Sequence, residues 1–144
     1  LESMDRLHEV KTPNEIIQKM MEKDAFSNWL GLEVISIKKG SCTISCSIKE
    51  VMLNGFSIAH GGIAYSIADT TLAFAANSYG YQSFSIETSI SHLRKVQEKD
   101  ILKASTTEIH RGKKTGVYQV NLINQKDELV AVFKGTVYIS KIPW

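Results

Sequence analysis

The sequence predicts an α+β fold in which a largely antiparallel β-sheet wraps one long apolar helix. Three observations predict it. Residues 61–79 are dominated by alanine, isoleucine, leucine and phenylalanine, and a helix with almost no wet face must be covered on most sides. Residues 41–49 set Cys42, Ile44, Cys46 and Ile48 against polar neighbours, the period of a half-buried strand. Four further strand-like runs follow the long helix with only short polar turns between them, and short connections favour hairpins over crossovers.

The composition fits this architecture as one domain. The chain has 144 residues, 43% hydrophobic and 22% charged, enough to bury a substantial core. A formal charge of +2 with dispersed lysines does not make a nucleic-acid surface. The local basic clusters, Lys38-Lys39, Arg94-Lys95 and Arg111-Gly112-Lys113-Lys114, read first as solvated turns. No segment reaches the roughly 20 apolar residues of a membrane span, and the N-terminus shows no charged-then-apolar secretory pattern. A cytoplasmic location is the expectation. Leu1, Glu2 and Ser3 ahead of Met4 are expected to be a remnant of expression and are left out of the fold reading.

Taken in order, the chain opens with a helix at Thr12-Pro13-Asn14-Glu15: a threonine cap, a proline at the first helical position and a glutamate placed to close a capping box. Ile16, Ile17, Met20 and Met21 form its apolar stripe as far as Lys23. A second short helix, 24–30, is expected to carry Phe26 and Trp29 toward the core and to stop at Gly31. The period then changes to two. Residues 32–38 and 41–49, joined by Lys38-Lys39-Gly40, read as a hairpin.

Cys42 and Cys46 lie four apart on the second of these strands, so their Cα atoms are about 13 Å apart, beyond disulfide reach. They read as reduced core residues. No Cys-x-x-Cys, His-Glu-x-x-His or Gly-x-Ser-x-Gly pattern is present. His8, His92 and His110 have no metal-ligand spacing and read as surface or strand residues.

The long helix is predicted to start at about Gly61 and to end before Gly80, a residue suited to a left-handed C-terminal cap. Strands are expected over about 83–95, 101–110, 115–124 and 129–139.

The chemistry gathers on residues 54–80. Gly61 and Gly62 leave backbone amides unpaired at a helix N-terminus, where they and the helix dipole favour a polarised carbonyl oxygen or an anion. Asp69 lies in the middle of an otherwise apolar helix, and a carboxylate out of water is costly unless it is paired or kept for chemistry. No cationic partner stands at helical spacing from it. Gly61 and Asp69 are about 12 Å apart along one axis, yet a nucleophile or base must come within about 3 Å of its target. One chain cannot serve one carbonyl with both. A composite site, with Gly61 from one subunit facing Asp69 from a neighbouring antiparallel helix, meets the geometry and predicts a symmetric dimer with interfacial sites.

These residues resemble a known family. Met-Leu-Asn-Gly, His-Gly-Gly, Ala-Asp-Thr-x-x-Ala-x-Ala-x-Asn-Ser-x-Gly and, at 112–118, Gly-Lys-x-Thr-Gly-Val-Tyr are similar to the hotdog-fold acyl-CoA thioesterases, nearest to the PaaI-type enzymes of phenylacetic acid degradation. The resemblance spans roughly 32–138, and its most specific spacing is Asn-x5-His-Gly-Gly with an aspartate nine residues after the histidine.

It implies hydrolysis of a (hydroxy)phenylacetyl or other aryl or medium-chain acyl-CoA to free acid and coenzyme A. Asp69 would act as nucleophile or general base, and the Gly61 amide would polarise the carbonyl. His60 would shape the loop, and Asn54 would position water or thioester. Ser85 is the expected assisting hydroxyl, with Thr88 and Ser89 near it. The resemblance further implies a homotetramer built of two dimers and no cofactor or metal beyond the substrate's own coenzyme A. Gly62, Arg94, Lys95, Arg111, Lys113 and Lys114 are candidates for binding substrate, and Phe56, Ile58, Tyr65, Phe74 and Tyr81 for lining the acyl pocket. One departure stands out: related enzymes commonly have proline where this chain has Lys95. A non-catalytic acyl-CoA-binding module on the same fold is the alternative. A hydratase is disfavoured, because no carboxylate and histidine pair is placed for proton transfer at the acyl chain.

Overall fold

A computed structural model describes residues 11–144; His8 and Leu1-Glu2-Ser3 lie outside that range. The elements are α1 (Pro13–Lys23), α2 (Ala25–Leu30), β1 (Glu33–Lys38), β2 (Ser41–Ser47), α3 (Gly61–Asn77), β3 (Tyr81–His92), β4 (Ile101–Arg111), β5 (Thr115–Ile123) and β6 (Leu129–Pro143), with one 3-10 turn at Glu50–Met52. The strands form a single antiparallel sheet in the order β1-β2-β4-β5-β6-β3. Among the described residues no helix is long and apolar enough to cross a membrane.

α3 packs against the sheet. Ile67, Leu72 and Phe74 are fully buried on it, each contributing roughly 2 kcal/mol of burial, and Ile44, Leu102, Val120 and Phe133 meet them from the strands. Gly135 on β6 allows the close approach: a Cβ there would stand 2.4 Å from Leu72 Cδ1. β2 has the expected alternation, with Cys42, Ile44 and Cys46 buried, and Ile48 just past its end is buried as well. Burial pushes the Cys42 thiol up to about 12 and the Cys46 thiol to about 11, which leaves both unreactive at neutral pH.

Several expectations need correcting. Phe26 and Trp29 do not enter the core. They are 53% and 48% exposed and stack on each other at 5.9 Å. α2 is capped by Asp24, whose carboxylate accepts from Ser27 N and Oγ, and Ser27 is tied to Thr70 of α3 at 3.0 Å. That anchor turns Ser27 and Leu30 inward and the two aromatics out.

At α1, Thr12 Oγ1 accepts from Glu15 N as expected, but Glu15 Oε1 accepts from the Thr12 hydroxyl, so the box closes on the side chain. α3 ends at Ser78 in a right-handed conformation, and Gly80, at φ 109, turns the chain two residues later. β3 spans Tyr81–His92, earlier than expected, and β6 runs on to Pro143.

The connection from β3 to β4 is no hairpin. β3 pairs along its length with β6 at the far edge of the sheet, so residues 93–100 return the chain to β2, where β4 pairs. β3 takes that edge because Asn77, at the end of α3, binds the start of β3. Its Nδ2 donates to Ser83 O, and its Oδ1 accepts from Ser83 N and Trp144 Nε1.

Candidate active site

β3 runs antiparallel beside α3, and the site is laid out along the seam between them. Four contacts mark it in order: Asn77 with Ser83, Asp69 with Ser85, Tyr65 with Thr88, and Gly61 with His92. A bulge between Ser85 and Glu87 shifts the alternation, so Ser83 and Ser85 before it and Thr88, Ile90 and His92 after it all lie on the helix side.

At the N-terminus of α3, His60 is the cap residue and its Nδ1 accepts from Gly62 N at 2.9 Å. The imidazole proton is thereby assigned to Nε2. Ile63 N donates to His60 O, while the Gly61 N–H finds no acceptor among the described residues. The preceding loop is rigidly held. Asn54 Oδ1 accepts from Phe56 N, His60 N donates to Met52 O, and Ala59 N donates to Val96 O. That last bond draws 92–96 alongside the loop and opens a cleft of about 350 Å³ between the two, lined by Asn54, His60, Gly61, His92, Arg94 and Lys95 among others.

Asp69 lies two turns further along α3. Its Oδ1 is buried and has no hydrogen-bond partner among the described residues. Desolvation pushes its carboxyl above the ordinary carboxylate range, and the neighbouring Ser85 hydroxyl opposes the rise. Beside it, Gly62, Ser66 and Ala73 are half-buried and continue a stripe at helical spacing along α3, while Tyr65 next to them packs on β3 and β6. β3 beside it has an unpaired outer edge, with Phe84 54% and Ile86 61% exposed.

The structure thus brings Asn54, His60, Gly61, Arg94 and Lys95 together at one cleft and Asp69 with Ser85 at another place on the same seam. Thr88 is engaged by Tyr65, and Ser89 faces the small surface hollow with Glu87 and Lys134. Of the basic candidates, Arg94 is paired with Glu128 at 3.1 Å, and Lys95 is exposed at the cleft.

Arg111 stacks on the Tyr79 ring at 3.7 Å and donates to Ala76 O and Tyr118 Oη. It closes the C-terminal end of α3, about 22 Å from Gly61 along the axis. Lys113 and Lys114 are exposed in the neighbouring turn. Of the pocket candidates, Phe74 belongs wholly to the core, Tyr65 packs edge-on against Phe133, and Phe56 is 86% exposed. His92, which the sequence presents as a surface or strand residue, also lines the cleft.

The thioesterase superfamily pattern matches residues 56–131. The chain belongs to the thioesterase superfamily. It is 38% identical over 116 residues to the acyl-coenzyme A thioesterase PaaI of Escherichia coli, covering 81% of this chain and 83% of that protein. A putative esterase of Archaeoglobus fulgidus is 34% identical, with 83% and 77% covered. The structure of the E. coli PaaI protein from the phenylacetic acid degradation operon superposes with a TM-score of 0.88 at 34% identity, covering 91% of this chain and 95% of that one. The six-stranded antiparallel sheet around α3 is the hotdog fold.

Proposed function

We propose that this thioesterase-superfamily chain hydrolyses acyl-CoA thioesters, releasing a carboxylic acid and coenzyme A, with Asp69 as nucleophile or general base. The observation that carries the reading is the Asp69 carboxylate: its Oδ1 is buried with no hydrogen-bond partner among the described residues, and desolvation raises its pKa. A binding module has no use for such a group, whereas a base must have a free lone pair. The relative at 38% identity, named as an acyl-CoA thioesterase, supports the same substrate class.

In this reading the Gly61 N–H takes the thioester carbonyl oxygen, helped by the dipole of α3. His60 holds that turn through Gly62, and Asn54 fixes the loop by its Asx turn. The cleft between Asn54 and Lys95 admits the thioester arm, and Lys95, with Arg94 behind it, faces the phosphates of the coenzyme. An aryl-acetyl or medium acyl group is the substrate.

The functional unit is a dimer in which two α3 helices pair antiparallel, so that Gly61 of each copy serves Asp69 of the other. The half-buried stripe beside Asp69 and the unpaired β3 edge support this pairing. The same arrangement carries the Lys113-Lys114 turn of the second copy toward the Asn54 end of the first, and two dimers complete a tetramer.

The test is release of free thiol from a panel of acyl-CoAs by wild type, Asp69→Asn and Asp69→Ala. The reading predicts turnover by wild type and a loss of about 10³-fold or more in both variants. Undiminished hydrolysis in both would overturn it, and tight binding without turnover by wild type would establish the binding module.

A further inference from the structure

His92 ends β3, facing the N-terminus of α3. A Cβ built on Gly61 would lie 3.3 Å from His92 Nε2 and 3.5 Å from Cε1. The Gly61 nitrogen is about 2.5 Å from that Cβ position by standard geometry, so the amide and His92 Nε2 are at most about 6 Å apart. Two donors that share one acceptor oxygen, each at about 2.9 Å, span no more than that. The imidazole is exposed, and neither ring nitrogen is engaged by another described residue. Its backbone is nonetheless fixed: His92 pairs with Ala131 of β6, and Leu93 N and Arg94 N both donate to Val130 O.

We infer that His92 is a catalytic residue of this site, its Nε2–H donating to the thioester carbonyl oxygen beside the Gly61 amide. The inference rests on the thioesterase reading and deepens it. His60, the other imidazole at the cleft, cannot take this part by Nδ1, which is committed to Gly62 N. Gly61 and His92 then form one donor pair. The glycine leaves room for the ring, and the ring completes the half of the oxygen's coordination that a single amide leaves open. The pair grips the oxygen more tightly as negative charge develops on it, so the expected effect falls on kcat.

The experiment compares wild type, His92→Leu, His92→Gln and Asp69→Asn on the best acyl-CoA of the panel, with the affinity of each for plain coenzyme A, which lacks the carbonyl. His92→Leu is expected to lower kcat by about 10²-fold, with KM and coenzyme A affinity within about threefold of wild type. His92→Gln, which keeps an N–H donor, should regain about tenfold of the loss. Both variants should melt with the wild type, because the side chain is exposed. A kcat for His92→Leu within about twofold of wild type, or a loss confined to KM and coenzyme A affinity, overturns the inference. If Asp69→Asn is inactive while His92→Leu is not impaired, the His92 assignment alone fails. If Asp69→Asn keeps the full rate, the thioesterase mechanism fails and the His92 role falls with it.

Discussion

Tyr65 of α3 and Thr88 of β3 share a hydrogen bond between their hydroxyls. It lies midway along the seam, with Gly61 and His92 on one side of it and Asp69 and Ser85 on the other. The bond sets the register of helix against strand, so the amide end and the acid end of α3 keep their spacing. One chain therefore presents two half-sites two helical turns apart, each with its own companion from β3.

The buried acid should be visible in stability as well as in rate. Folding raises the pKa of Asp69 above its ordinary 3.8, so the folded chain holds the proton more tightly than the unfolded one. The stabilisation is fully present below 3.8 and is lost as pH rises through the raised value. Urea unfolding across mildly acidic pH should show this decline in wild type and not in Asp69→Asn. Equal slopes for the two would contradict the desolvation of this carboxylate in the folded chain.

Ser85 acts on Asp69 in the opposite sense, favouring its charged form. Ser85→Ala should move the acidic limb of the kcat/KM profile to higher pH, because the base then ionises later. An unmoved limb would remove Ser85 from the site.

Proline at Gly61 removes the amide N–H and also fills the space beside His92, which a Cβ alone would approach to 3.3 Å. Gly61 is the first residue of α3, where proline is well tolerated, and His60 before it has ψ 140, within the range a residue preceding proline adopts. Gly61→Pro removes the N–H and keeps the helix. It should cost about 10²- to 10³-fold in kcat with little change in melting temperature. Wild-type turnover by this variant would show that the carbonyl oxygen lies elsewhere.

Asn77 is a structural anchor whose loss should be felt globally. Its amide donates to Ala73 O and Ser83 O and accepts from Ser83 N and Trp144 Nε1. Asn77→Ala leaves several buried groups unpaired and should lower unfolding free energy by on the order of 3 kcal/mol, measured by urea titration. A loss under about 1 kcal/mol would mean that water replaces the amide.

Local patterns were legible where the physics is local. The Thr12-Pro13 helix start, the Cys42-to-Ile48 alternation, the entry of α3 at Gly61 and the isolation of Asp69 each depend on neighbours in the chain. Phe26 and Trp29 were misread because α2 is barely two turns long, and its orientation is decided by the contact of Ser27 with Thr70, 43 residues away. The place of β3 at the sheet edge depends on Asn77 and on a C-terminal residue, Trp144. His92 was hidden by the bulge after Ser85: an unbroken period of two from Ser83 and Ser85 continues to Ser89 and Ser91 and puts His92 on the wrong face. A histidine at the end of the strand that follows the long helix was the available signal, and only the register of β3 on α3 gives it meaning.

The central claim is that Gly61 of one copy and Asp69 of another make one site. Co-expression of Asp69→Asn and Gly61→Pro chains with different affinity tags, followed by purification on both tags, isolates assemblies that hold both chains and are rich in hybrid dimers. In each hybrid dimer both defects fall in one of the two sites and the other is intact, so these assemblies should recover roughly a quarter to a half of wild-type activity, while each parent stays inactive. A hybrid no more active than its parents would place Gly61 and Asp69 in the same chain's site and contradict the account.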